Sequence, residues 1–358
     1  MNDDCLKLTT YFGERDCTPE GPLSERLMAI YGEHGLQASI LLRGVEGFGR
    51  FNHLHTDRLL SLSEDLPVVT VAIDERRRIE ALLEPIMQIK QRGLVTLERA
   101  RLLSDHVGRV ALPEALGEAT KLTVYLGRLE RVDRTPTYMA ICDLLCRRGI
   151  AGATVLLGVD GTRGGDRFRA RFFGRNADVP VMVIAVGSGE RIAAVLPELA
   201  TLVRTPLITL ERVRVCKRDG ELLADPHEHP GTDEHGLAMW QKLMVYTSNS
   251  ATHDGHPLHL AIIRRLLAAD AAGATCLRGI WGFHGDHAPH GDKLFQVRRH
   301  VPVCTIVIDT PERIGRSFRI IDELTATQGL VTSEMVPAMA AISPARTVGG
   351  LRLANPGF

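Results

Sequence analysis

No C-x-x-C pair occurs among the seven cysteines, and their odd count fits reduced thiols better than a disulfide framework. No apolar run approaches the roughly 18 residues needed to cross a bilayer, and the start, Met1-Asn2-Asp3-Asp4, is acidic where a secretory signal is basic. A soluble, cytoplasmic protein is expected. Excess charge is missing too: 43 basic residues balance 43 acidic ones, which leaves no electrostatic footprint for nucleic acid or an anionic membrane. Signatures of catalysis are also absent, including G-x-x-x-x-G-K-[ST], H-E-x-x-H, G-x-S-x-G and a strand-turn-helix G-x-G-x-x-G. Adjacent acids such as Glu64 and Asp65 have no patterned partner. The expectation is a protein that is not an enzyme.

What the chain has instead is a long internal repeat. "KLTTY … LLRGVEGFG" starts at Lys7, "KLTVY … VLLGVDGTRGG" at Lys121 and "KLMVY … CLRGIWGFHG" at Lys242. Tyr11, Tyr125 and Tyr246 are offset by 114 and 121 residues, and Gly44, Gly158 and Gly279 by the same amounts. Pro67, Pro180 and Pro302 are offset by 113 and 122, so the length changes fall in the segment between glycine and proline, which is therefore a loop. The copies close alike on "GLVTLERARLL", "PLITLERVRVC" and "GLVTSEMVPAM". A period this long means whole domains rather than stacked small units, and about one hundred residues suffice for a core. The domains are expected at 1–103, 120–216 and 240–338, joined by a connector at 104–119 and a polar linker at 217–239, with a poorly ordered tail at 343–358.

Copy one reads as a strand at 6–12, a helix from Pro22 to Gly35 and a strand at 39–45. A strand at 68–73, a helix at 75–91 capped by Asp74, and a last strand at 94–103 follow. Copies two and three follow the same order. This β-α-β-β-α-β sequence is the split-βαβ, ferredoxin-like arrangement, an α+β fold. Right-handed crossovers place strand three antiparallel between strands one and two. The loop after strand one, the long loop after strand two and the turn before strand four then emerge at one end of the sheet. Cys142 and Cys146, one helical turn apart, read as small apolar side chains on a buried face rather than a metal or redox pair.

The segments "ATVLLGVDG" and "LLRGVEGFGRFNHLHTDRLLSLSEDLPVV" resemble the PII-like family called domain of unknown function 190, over nearly all of the three repeats. "RGVEGFGR" is also similar to the matching segment of the nitrogen regulator PII. The resemblance implies ferredoxin-like copies, a partner-contacting long loop, and three clefts between copies docked as an intramolecular pseudo-trimer in a monomeric chain. It further implies a regulatory partner such as a membrane transporter or fluoride channel. PII holds nucleotide phosphates on a glycine- and lysine-rich loop before the last strand, where this chain has Gly93-Leu94-Val95-Thr96. The effector is accordingly left as a nucleotide or another small anion.

Candidate ligand residues lie in the glycine-rich exit from strand two: Gly44, Glu46, Gly47, Phe48, Gly49 and Arg50 in copy one, Gly158, Asp160 and Gly161 in copy two, and Gly279, Gly282 and Phe283 in copy three. Glycines there free backbone N–H groups for an anion, and Phe48 can stack on a planar ligand; the alternative is a tight exit from the sheet. Copy two lacks the aromatic and copy three has Trp281 in place of the acid, so the clefts are not equivalent. Copy three concentrates histidine, and His256, His284 and His287 are candidate ligands for a divalent metal against the reading of solvated loop residues. The favoured function is a non-catalytic regulator that binds a small effector between domains. The alternative is a metal-binding protein or enzyme using the histidine-rich end of copy three.

Overall fold

The computed structural model describes residues 2–49, 55–56, 65–104, 119–169, 178–205, 207–284, 289–291 and 301–355. In copy one the main strands are Asn2–Gly13, Ala38–Arg43, Pro67–Glu75 and Gly93–Ser104, with helices Leu23–Glu33 and Arg76–Ile89. Copy two repeats this with strands Thr120–Gly127, Gly152–Leu157, Pro180–Gly187 and Leu207–Arg212 and helices Thr137–Arg147 and Gly189–Leu202. Copy three has strands Trp240–Ser248, Ala274–Arg278, Pro302–Asp309 and Leu330–Val336 and helices Leu258–Ala268 and Pro311–Leu324. The whole is α+β, with six helices and antiparallel pairing. Within each copy the strands run in the order fourth, first, third, second.

Each sheet is covered on both faces, which explains strands that read as nearly continuous apolar runs; every residue of Pro180–Gly187 is buried. One face carries the two helices, whose apolar stripes supply a private core, as with Leu27, Tyr31, Ile79, Leu82 and Ile86 in copy one. The other face turns inward, where Val71, Ile184 and Ile306 from the three copies join one common cluster.

Two cyclic strand exchanges lock the copies together. The chain leaving strand two forms a short arm that adds to the second strand of another copy. Glu46–Phe48 pairs with Ala274–Arg278 of copy three, Trp281–His284 with Gly152–Leu157 of copy two, and Asp160–Arg163 with Ala38–Arg43 of copy one. The end of each fourth strand runs in the opposite sense around the ring. Residues 101–104 pair with Leu207–Arg212, Arg214–Arg218 with Leu330–Val336, and Ala338–Ile342 with the start of Gly93–Ser104.

Several expectations change. The glycine-rich exits are strands of a neighbouring sheet, because their pairing partners lie in another copy and leave no local signal. The tail is ordered as far as Asn355: Thr347–Gly350 pairs with Ala338–Ile342, and Arg99 Nη1 donates to the Ala354 carbonyl at 3.0 Å. The strand Arg214–Arg218 runs from copy two into the segment expected as a linker at 217–239, and residues 221–222 within that segment are also a strand. Asp74 is not the helix cap; its buried carboxylate accepts from the backbone N–H groups of Gln37 at 3.0 Å and Glu75 at 2.7 Å. Most of the connector lies outside the described residues.

Candidate functional site

Two arrangements are built where the copies meet. The first is a closed ring of six buried charges. Lys7, Lys121 and Lys242 sit on the three first strands, each directly across from a glutamate on its own fourth strand: Glu98, Glu211 and Glu334. Each ammonium also reaches the glutamate of another copy. Lys7 bridges Glu98 at 3.1 Å and Glu211, Lys121 bridges Glu211 at 3.1 Å and Glu334, and Lys242 bridges Glu334 at 2.8 Å and Glu98. No side chain in the ring is more than 8% exposed. Burial alone would raise Glu98, but the ammonium groups of Lys242, Lys7 and Lys121 outweigh it and hold the carboxyl below the ordinary range; Glu334 behaves alike. Burial likewise works against Lys7 and Lys242, and the glutamates more than compensate. At Lys121 burial wins and the ammonium is lowered. Every bridge uses one oxygen of its glutamate, and the second oxygens of Glu211 and Glu334 are buried without a hydrogen-bond partner. The ring joins each copy to the next through one lysine and one glutamate.

The second arrangement is a cleft of about 620 Å³ between copies one and three. Copy one supplies Phe12 and Gly13 at the end of strand one, Asp16 after it, Gly47, Phe48 and Gly49 from the arm, Asp65, and Arg92 with Gly93 and Leu94 at the start of strand four. Copy three supplies Trp240, Ala272 to Thr275, Ile306, Ile308 and Asp309, and the tail adds Met339 and Ala341 to Pro344. The walls are apolar and aromatic, and among the described residues the charged groups are three carboxylates against the guanidinium of Arg92. Among the described residues that balance disfavours an anionic effector, because the carboxylates repel it and the cations opposing them are Arg92 and, behind the wall, Lys90. Burial raises Asp16 above its ordinary value despite a hydrogen bond from the Gly13 N–H. Behind the wall, Lys90 donates to the Tyr11 carbonyl at 3.0 Å, and burial brings its pKa down to about 7.

Among the described residues the two equivalent positions are filled. Between copies three and two, the residues corresponding to the cleft, including Tyr246, Phe283 and Ile184, leave about 20 Å³. Between copies two and one, the place is taken by the side chain of Arg163, which bonds Glu130 at 2.7 Å and Asp178 at 2.8 Å.

The candidate residues from the sequence divide accordingly. Gly47, Phe48 and Gly49 line the open cleft. Gly44, Gly158 and Gly279 make one turn three times, each donating its N–H to the carbonyl of Pro67, Pro180 or Pro302 at 2.7–2.9 Å. Gly47, Gly161 and Gly282 let each arm lie against a foreign strand; a Cβ on Gly47 would stand 2.7 Å from the Ala274 carbonyl oxygen, and one on Gly161 or Gly282 would stand 2.2 Å from that of Ser39 or Ala153. Glu46 faces away from the cleft and meets His259 of copy three at 3.5 Å, both fully buried. Asp160 is held by Arg167 through two hydrogen bonds of 3.1 and 2.6 Å. Phe283 is part of the core of copy two. Arg50 lies outside the described residues.

Among the described residues the copy-three candidates form no metal-ligating group. His256 sits on an exposed hairpin of copy three, whereas His284 ends the arm that crosses to copy two, so the strand exchange carries the two apart; His287 lies outside the described residues. Among the described residues the group of metal-ligating types that does converge is Glu98, Glu211 and Glu334, each already engaged by lysine. The ring was missed from sequence although its signal was there, as a lysine opening and a glutamate closing each repeat. Cys142 is fully buried in the core of copy two.

Compared with known families, residues 5–102, 119–215 and 240–338 each match the family described as DUF190, Uncharacterized ACR. A curated UPF0166 protein of Aquifex aeolicus (strain VF5) is 34% identical over 98 residues, covering 27% of this chain and 92% of that protein. A further match to a UPF0166 protein of the same organism is 27% identical over 70 residues, covering 20% of this chain and 73% of that protein.

Proposed function

The chain belongs to the domain of unknown function 190 family, in three tandem copies, and we propose that it is a non-catalytic regulator that binds a small effector in the cleft between copies one and three. In this reading each copy is a ferredoxin-like, PII-like domain and the three form an intramolecular pseudo-trimer. The strand order fourth, first, third, second and the cyclic exchange of arms support it.

The observation that carries the effector reading is the inequality of the three clefts. A homotrimer keeps three identical sites, but one chain is free to keep one and fill the others, and here one position is open at about 620 Å³ while its equivalents are closed. That volume suits a small organic molecule, with apolar walls for its body and few polar groups for its orientation. Gly49 and Asp65, which line the cleft, flank residues 50–64, the long segment after strand two. An effector touching both ends of that segment biases its arrangement, and the segment in turn engages a partner such as a membrane transporter or ion channel.

A thermal-shift screen of nucleotides, metal ions and small cationic or neutral aromatics tests this, because a ligand of the native state alone raises Tm. Gly49→Trp blocks the cleft without a backbone clash, since a Cβ there meets nothing within 4 Å. A hit that stabilises the wild type and not this variant supports the reading. A hit that is turned over during incubation overturns the non-catalytic assignment.

A further inference from the structure

The closed position between copies two and one is a template for what the open one accepts. In copy two the Glu130 carboxylate accepts from the Gly127 N–H at 2.8 Å, and Asp178 Oδ1 accepts from the Leu129 N–H at 2.7 Å. These bonds aim both acids at one point, and the Arg163 guanidinium fills it through Nη1 to Glu130 and Nη2 to Asp178. The repeat offsets of 114 and 113 residues turn Glu130 into Asp16, Asp178 into Asp65 and Arg163 into Gly49.

Copy one keeps both acids and their backbone donors. Asp16 accepts from the Gly13 N–H at 3.2 Å, and Asp65 Oδ1 accepts from the Arg15 N–H at 2.7 Å. Among the described residues what it lacks is the guanidinium, because glycine stands where the arginine would be. Arg92 reaches Asp16 only at 3.8 Å from a side chain that is 56% exposed, and the Lys90 ammonium is turned to a backbone carbonyl. Copy three has Ser248 and Ala251 where copy one has Gly13 and Asp16, and there the position has shrunk to about 20 Å³. The acid at this position thus goes with a cation in copy two and with an open cavity in copy one.

We propose that the cleft between copies one and three binds a small organic cation of the guanidinium or amidinium class, its planar head clamped between Asp16 and Asp65 and its apolar body against Phe48, Trp240 and Ile306. A planar head with paired N–H donors matches two carboxylates in fixed positions, as the arginine of copy two does. The inference rests on the effector reading above and specifies the charge that reading leaves open.

Benzamidine and its uncharged isostere benzamide test it by calorimetry on the full chain. Benzamidine is expected to bind once per chain and at least tenfold more tightly than benzamide. Asp16→Asn and Asp65→Asn should each weaken benzamidine at least tenfold, and Gly49→Arg should abolish binding by supplying the internal guanidinium. A normal melting transition in each variant shows that it is folded, and a loss confined to benzamidine separates clamp from fold. Equal affinity for the two compounds, or Asn variants that bind as the wild type does, overturns the proposal. If a neutral or anionic compound binds and Gly49→Trp blocks it, the cation falls while the effector site stands; if no compound is blocked by that variant, both fall.

Discussion

At the scale of single residues, the ring places six buried charges in mutual contact. Removing one member leaves two buried partners short of a counter-charge, and breaking a buried pair in this way costs about 3–5 kcal/mol. Lys121→Met is therefore expected to lower the unfolding free energy by about that amount in urea titration, with the cleft unaffected. The ring also sets a pH dependence. Glu98 and Glu334 are depressed below the ordinary carboxyl value of 4.5, so their contribution is fully present above that pH and is lost as pH falls through the folded values. Lys7 and Lys242 are raised above 10.5, so theirs is present below that value and lost as pH rises past the folded ones. The contribution of these four groups should be level between these limits, on a melting profile that the lowered Lys90 tilts upward from about pH 7 toward 10.5, and Glu98→Gln should flatten the acid arm. A profile unchanged by that substitution would remove the ring from the account.

At the scale of elements, the arms and the tail decide how firmly the copies hold. A valine at Gly161 would push its Cβ into the Ser39 carbonyl, and Gly47→Val would meet that of Ala274. Crowding of this kind costs about 1–3 kcal/mol. Both variants are expected to melt earlier, whereas a free loop would tolerate the change. Truncation after Ser343 removes the strand Thr347–Gly350 and the Ala354 contact to Arg99, and should likewise lower Tm. The elements inside each copy were readable in the sequence: helix 258–268 and strand 330–336 fall where apolar periodicity puts them. The arms were not, since three or four residues such as Glu46–Phe48 carry no period of their own and become strands only against another copy. The cleft was half legible. Topology brings Gly13, Gly47 and Gly93 to one end of a sheet, but the wall from Trp240, Ile306 and Met339 depends on docking. The clamp needed Arg163 to be seen beside Glu130 and Asp178, three residues spread over 48 positions of chain.

At the scale of the whole molecule, the lysine-glutamate ring closes on itself and each strand exchange returns to its start. Full-length chain is expected to be a monomer in light scattering, with one cooperative unfolding transition rather than three. Each copy also carries one lysine and one glutamate of the ring and one arm, the full set for self-complementary threefold docking. Copy one produced alone, residues 1–104, is therefore expected to sediment as a trimer. A monodisperse monomer would show that the seams do not drive assembly. Synthesis meets the same closure as a matter of timing. Glu98 waits for Lys242, 144 residues later, which at ribosomal speed is on the order of ten seconds. Until copy three is made, copy one holds out an arm with no strand to receive it and a carboxylate with one of its two lysines still missing. In a polysome such half-finished copies stand side by side and each can accept another's arm, so nascent chains are the state in which this protein is most exposed to joining the wrong partner.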